Sequence, residues 1–313
     1  GRPELNGTHG TALSWNEEAG RYVVRLIGGP DAGTDVRLKP ANLEAETEES
    51  AARDGARGVI EQLRSGSARM QAKAAKELVQ VLVSAEVDST DIAHLRQIQA
   101  FREAIISAGG IEPLAALTST GSLGAPHYAA CALANLAQGN VANSQEAIVR
   151  AGGIEPLVAL VDSGSQYAAS ALGRLAQNKP AYQAAIVLAG AINPLIALLD
   201  GGRAICGMGA AAAYAANTLG CLAADNADTQ TAIMLEGAVG PLVRLVQIGS
   251  AEEQVSAAFA LCKLALDNAD TQAAITRAGG IEQLVALLRA GSVEVRGLMS
   301  AACVLGALAE DNT

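Results

Sequence analysis

The sequence predicts a mainly α-helical chain: a solenoid of stacked helical units behind a small N-terminal β domain. Three observations carry this expectation. The heptapeptide AGGIEPL occurs letter for letter at 108–114 and 151–157, with echoes AGAINPL at 189–195, EGAVGPL at 236–242 and AGGIEQL at 278–284. Aligned on the residue after the Gly/Ala pair, units begin at Ile111, Ile154, Ile192, Val239 and Ile281, with spacings of 43, 38, 47 and 42 residues. Periods near 40 residues (roughly) belong to helical repeats that bury their apolar faces only by stacking. Finally, half of the 313 residues are hydrophobic but only 3% are aromatic. Ala, Leu, Ile and Val pack helix on helix without large plugs.

Residues 1–43 follow a different period. In RYVVRLIGG (21–29), Tyr22, Val24 and Leu26 alternate with Arg21, Val23 and Arg25; in TDVRLKPANL (34–43), Val36 and Leu38 alternate with Arg37 and Lys39. A period of two marks half-buried strands, here joined by the turn-rich GGPDAGTD. With GTALSW before them, these strands resemble the later part of a Tudor/KOW-like small β-barrel, of which only three or so strands are visible. Arg21, Arg25, Arg37 and Lys39 form a candidate basic face for an acidic partner or nucleic acid, or a merely solvated sheet surface. EAETEES (44–50) is acidic and polar, and 44–55 is expected to be a linker.

From 56 to 313 each unit has the same internal order. TQAAITRAGG is a short helix closed by glycine, which enters the left-handed conformation without strain. IEPLVALV opens a second helix, with Pro156 early enough for its missing N–H to cost little. DSGS, QIGS or RAGS then breaks the chain. A longer third helix follows, as in EEQVSAAFALCKLAL, where Val255, Ala258, Leu261 and Leu264 recur at helical spacing. A weaker first copy starts near Val59, and SAEVDSTDIAHLRQIQ (84–99) lengthens it as a loop or longer helix. The acidic residues Asp225, Asp228, Asp267 and Asp270 lie where helices begin and are expected to cap them. The final LAEDNT stops in the middle of the phrase that 222–233 and 264–275 continue, so a piece of a longer protein is expected.

A short helix, GGI-x-PLV-x-LL, a Gly-Ser turn and A-x-x-ALA-N-LA resemble the armadillo repeat, and AACALANLAQ (129–138) is close to that family's third helix. The resemblance covers about six units, starting near 59, 111, 154, 192, 239 and 281. It implies a right-handed α-solenoid whose third helices line a concave groove for extended segments of other proteins. In importin-α-like members of the family, an Asn ladder on the third helix holds ligand backbone and Trp residues one turn earlier hold basic side chains. Here the Asn row reads Asn135, Arg174, Cys221, Lys263, Ala307 and the Trp row Cys131, Ser170, Asn217, Phe259, Cys303. One Asn and no Trp do not make that ladder, which sets a nuclear-import-type cargo adaptor below the other readings.

The candidate groove residues are therefore His127, Cys131, Asn135, Gln166, Ser170, Arg174, Asn217, Cys221, Val255, Phe259, Lys263, Met299 and Cys303. The stripe is polar in the middle and apolar towards the C-terminus, suited to a helix or folded partner with an apolar face, or covered by further repeats.

Chemistry is sparse. No phosphate loop, no H-E-x-x-H and no nucleophile elbow is present. GMGAAA (207–212) matches a dinucleotide fingerprint only on paper, because it lies between repeat helices. Five scattered cysteines without a C-x-x-C suggest reduced, buried thiols in a reducing intracellular compartment, and three distant histidines suggest no metal site. No uncharged apolar run reaches membrane-spanning length, and a net charge of −10 disfavours nucleic-acid binding by the solenoid. The expectation is a non-catalytic, cofactor-free protein–protein scaffold. Its alternatives are a structural or linker subunit of a large, organellar or membrane-associated assembly, and an accessory region of an enzyme whose catalytic part lies elsewhere.

Overall fold

A computed structural model describes residues 9–16, 21–27, 35–38, 48–87, 92–122, 124–138, 143–200, 210–290 and 294–310. The chain divides into two compact units, Gly1–Ala51 and Ala52–Thr313.

In the first unit, β1 (His9–Asn16), β2 (Arg21–Ile27) and β3 (Asp35–Leu38) form an antiparallel sheet in the order β1-β2-β3. Val24 pairs with Ala12 and Val36 and is 3% exposed, whereas the next residue, Arg25, is exposed. That is the predicted alternation. The register sets Arg21 against Asn16 and Arg37 against Val23. Arg25 lies opposite Thr11 on one side and Asp35 on the other, so the candidate basic row includes an acidic position. A bulge interrupts β1 between Ala12 and Ser14. The described strands are a three-stranded meander rather than a closed barrel, and Lys39 lies outside the described residues.

The second unit opens with α1 (Glu48–Ser65) and α2 (Ala68–Val87). This corrects the expected linker: the chain is helical from Glu48, and Val59 falls inside α1 rather than at a helix start. Ala56, Ile60 and Leu63 form a buried stripe at spacings of four and three. Residues 84–87 continue α2, so the extra stretch of the first unit is partly a longer helix.

Five units of three helices follow. They are α3 (Ile92–Ser107), α4 (Ile111–Thr120) and α5 (Ala125–Gln138); α6 (Ser144–Arg150), α7 (Ile154–Asp162) and α8 (Gln166–Ala176); α9 (Pro180–Leu188), α10 (Ile192–Leu199) and α11 (Ala211–Ala223); α12 (Ala227–Leu235), α13 (Val239–Ile248) and α14 (Ala251–Ala265); and α15 (Ala269–Arg277), α16 (Gly280–Ala290) and α17 (Val295–Glu310). The repeated heptapeptide is the corner between the first and second helices. Its first glycine takes positive φ in every unit, 68° at Gly152 and 87° at Gly237, and the two helices then diverge by 83° after α9 and 80° after α12. A side chain at that glycine would be strained by about 1–2 kcal/mol.

The longer third helices, α2, α5, α8, α11, α14 and α17, pack in succession and hold the core between them. Their facing surfaces are Ala and Gly. A Cβ on Gly173 would lie 2.5 Å from the Thr218 hydroxyl, which donates to the Ala169 carbonyl at 2.8 Å; one on Gly220 would lie 2.7 Å from the Phe259 ring. Side chains that small let the helix backbones approach closely.

Two features of the junctions depart from the sequence reading. The helix caps are Asn226 and Asn268, whose side chains accept from the Thr229 and Thr271 amides at 3.0 and 2.9 Å. Asp225 and Asp267 instead close the preceding turn at positive φ, 54° and 53°, and Asp228 and Asp270 sit in the first helical turn. Only a short polar side chain tolerates the left-handed bend and leaves its neighbour free to cap. The second feature is a row of glutamines. Gln145, Gln183, Gln230 and Gln272 occupy one position of the first helices α6, α9, α12 and α15 and reach the last carbonyls of third helices. Gln145 donates to the Arg174 carbonyl at 2.9 Å, Gln183 to that of Cys221 at 2.9 Å, Gln230 to that of Lys263 at 2.9 Å, and Gln272 to that of Ala265 at 3.0 Å. These are the carbonyls that a helix end leaves without partners.

Gln183 is 2% exposed, so Gln183→Ala strands a buried carbonyl. A loss of about 1–3 kcal/mol of unfolding free energy is expected in denaturant titration. A loss below a few tenths (~0.3 kcal/mol) would show that the row does not clamp the stack.

Candidate functional site

The succession of third helices leaves an open groove of about 860 Å³ along α8, α11 and α14, closed at one end by the start of α17. Two of these three helices are started by a capping side chain. Ser165 caps α8 by accepting from the Ala168 amide at 3.4 Å. Ser250 and Glu253 form a reciprocal capping box at α14, with the Ser250 amide donating to Glu253 Oε2 at 2.7 Å. The recurring Gly-Ser turn therefore sets where α8 and α14 begin, whereas α11 starts after Ala210 without a side-chain cap.

Of the candidate groove residues, the structure brings Ser170, Arg174, Asn217, Cys221, Val255, Phe259 and Lys263 together in this groove. Cys131, Asn135 and Gln166 are buried, at 5%, 5% and 6% exposure. The Asn135 amide is turned back onto its own helix, donating to the Cys131 carbonyl at 2.9 Å. His127, half-buried on α5, and Cys303, on α17, lie outside the groove lining, and Met299 stands out from α17 at 68% exposure. The candidate residues of α5 therefore do not line this groove.

Several lining residues were not anticipated: Gly173, Gln177, Tyr214, Glu252, Glu294 and Arg296. One signal for Tyr214 was present, because Tyr follows the first groove row at 128, 167 and 214. Glu252 and Arg296 hold equivalent positions one turn before Val255 and Met299, a row the two-rung template did not include.

Electrostatically the groove is mixed. Arg174 is held in place, its guanidinium donating to the Ala134 carbonyl at 3.1 Å and to Gln138 Oε1. The Arg296 guanidinium lies over the Phe259 ring, 5.0 Å from its centroid. The Cys221 thiol contacts Asn217 Oδ1 at 3.5 Å; burial pushes its pKa up to about 11, against the opposing pull of Arg296 and Lys263. Behind the groove, Cys262 is pushed up to about 12, chiefly by burial and then by its hydrogen bond with Cys303. A neutral thiol is a poor nucleophile, so nothing here activates a cysteine. Among the described residues no group of His, Cys, Asp and Glu could hold a metal ion. No single described helix is long and apolar enough to cross a membrane. GMGAAA and Cys206 fall largely outside the described residues, which resume at Ala210.

Two outcomes follow. Alkylation of Cys221 and Cys262 by iodoacetamide at about pH 8 should run at least ~100-fold slower than that of a free thiol and become normal on denaturation. Mass spectrometry reads both rates, and fast native labelling of either would contradict its burial. Burial lowers the pKa of His127, whose Nδ1 has no hydrogen-bond partner among the described residues. The unfolded chain then binds the proton more readily, so stability is full above the unfolded value of about 6.5 and is lost as pH falls through it. His127→Gln should flatten the fall of Tm below that pH; an unchanged slope would assign the fall to other groups.

No family model matches the chain, and no curated protein matches it. Solved structures do. An engineered protein is 30% identical with a TM-score of 0.67, covering 82% of this chain and 96% of its own. A designed armadillo repeat protein is 25% identical with a TM-score of 0.66, covering 80% and 99%. A structure of computationally designed armadillo repeat proteins for modular peptide recognition is 25% identical with a TM-score of 0.63, covering 80% and 98%. With the three-helix unit, the glycine corner and the packed third helices, these likenesses show that the helical part of this chain has a repeat-solenoid fold like that of designed armadillo repeat proteins.

Proposed function

We propose that this protein is a non-catalytic scaffold that holds an extended segment of a partner protein along its third helices. One observation carries the reading: the groove of about 860 Å³ over α8, α11 and α14. It is open, and it offers amide, hydroxyl and aromatic side chains (Asn217, Ser170, Tyr214, Phe259) instead of a converging set of acid and base groups. One of the similar structures is of armadillo repeat proteins designed for modular peptide recognition, which supports the same use here. The missing Asn and Trp rows point away from the backbone-clamping mode of import adaptors; the side chains of Phe259 and Val255 supply the apolar contact instead.

A second reading, a subunit fixed within a larger assembly, is favoured by Leu188 and Leu235. They occupy equivalent positions at the ends of α9 and α12 and are 87% and 73% exposed, an apolar pair that water does not favour. The N-terminal sheet, with Arg21, Arg25 and Arg37, offers a further surface for an acidic partner, and the complete small barrel and Lys39 remain part of this proposal.

Groove variants decide between the readings. Asn217→Arg and Val255→Arg should each weaken binding of selected linear peptides by tenfold or more (roughly 1.4 kcal/mol) in fluorescence anisotropy, with the melting curve unchanged. Binding that survives both but is lost in Leu188→Asp/Leu235→Asp would place the partner on the surface that bears these leucines.

A further inference from the structure

We infer that the C-terminal half of the groove is built to receive a carboxylate side chain of the bound segment, seated between Lys263 and Arg296 beside the Phe259 ring. This rests on the peptide-binding reading and names the chemistry of its ligand. The two cations come from different helices and meet at one place. Lys263 lies one turn beyond Phe259 on α14, Arg296 reaches over the same ring from α17 with its guanidinium 5.0 Å from the ring centroid, and both line the groove. Both also act on the Cys221 thiol of α11, each pulling its pKa down against burial. Two positive charges thus face one spot across three helices.

Neither cation forms an ion pair among the described residues, where the described salt bridges are Lys73–Glu77, Arg150–Glu146 and Arg244–Asp200. Arg296 rests on an aromatic face instead, and a guanidinium so placed keeps its forked N–H donors for an incoming carboxylate. The charge distribution of the whole chain agrees. The chain has 22 Lys and Arg against 32 Asp and Glu. The groove helices α8, α11, α14 and α17, however, carry Arg174, Lys263 and Arg296 against Glu252, Glu253 and Glu310. The groove-forming helices are therefore spared the acidity of the rest.

The same groove also contains Asp225, Glu252 and Glu294. A continuous polyanion such as a nucleic-acid strand would meet these carboxylates, whereas a single acidic residue in an otherwise apolar or neutral peptide would not. This favours a protein segment, in which the acidic residue sits on the two cations and a neighbouring apolar side chain covers Phe259 and Val255.

The test is selection of random linear peptides displayed on phage against the full chain, followed by synthesis of the enriched sequences. Enriched peptides should share an Asp or Glu at one position. Changing it to Asn or Gln should weaken binding about tenfold to wild-type protein and less than about twofold to Lys263→Ala/Arg296→Ala. The charge-reversed Lys263→Glu/Arg296→Glu protein should select Lys or Arg at that position. Both side chains are at least partly exposed, and the melting curve checks folding. Peptides that need Asn217 yet show no acidic preference would overturn this inference and leave the groove reading standing. A selection yielding no peptide sensitive to Asn217→Arg would overturn both. A labelled single-stranded oligonucleotide that binds wild type and is lost in the double alanine variant would assign the cations to nucleic acid and overturn the inference.

Discussion

Close approach of consecutive third helices is the constraint on which the solenoid depends. Gly173 against Thr218 and Gly220 against Phe259 leave no room for a Cβ, and alanines such as Ala169, Ala171, Ala215, Ala216, Ala257 and Ala258 fill the rest of these faces. Helices this close bury their surface almost completely, but they also draw their C-terminal carbonyls into the interior, where an unpaired acceptor is costly. The glutamine row answers that cost. Each amide reaches from a short first helix to the end of a third helix, its own unit's or a neighbouring one's, so the polar cost of stacking is met by the element that links the units. Asn268 extends this network by donating to Gln230 Oε1 and Thr231 Oγ1 at 3.3 and 3.4 Å.

The groove is a consequence of this packing rather than an added feature. Small residues on the faces between third helices bring the helices together, and the larger residues that remain, Tyr214, Phe259, Lys263 and Arg174, project along the free side. Because the stack keeps those helices rigid, the chemistry of the surface can vary while the frame is kept. In this chain it has varied far from the Asn/Trp pattern. What occupies those rows is a buried asparagine folded onto its own helix, an arginine bound to neighbouring carbonyls, a protonated cysteine and a lysine, with a phenylalanine under an arginine at the far end.

Near-complete burial also explains why most polar atoms in the core are committed to carbonyls of their own or a neighbouring helix. Thr118 donates to the Ala115 carbonyl at 2.6 Å, Thr218 to that of Ala169 at 2.8 Å, and the cysteines are kept neutral by desolvation. An interior with its polar groups committed in this way holds a scaffold together but offers little that can activate a substrate.

Much of this architecture is written in local signals. The glycine corner needs a left-handed residue, the Gly-Ser turn needs a cap, and the third helix needs a 3.6-residue apolar period; each is a property of a few consecutive residues, so unit boundaries from Ile111 onward coincide with helix starts or fall within one residue of them. The recurring Gln was equally visible at 145, 183, 230 and 272, but its meaning was not, because its partner carbonyls lie 29 to 38 residues away in three of the four cases. The same reason separates the remaining findings. Whether α1 begins at Glu48 depends on what its stripe packs against, and whether Asn or Asp caps a helix depends on which of two adjacent residues takes positive φ. That Arg296 lies over Phe259 depends on how one unit is set upon the next. Sequence alone determined the repeat, its three helices and the candidate rows of the groove. Only the tertiary structure decided which members of those rows face the open groove and which charges meet there, because burial and juxtaposition are properties of neighbouring units that no single unit encodes.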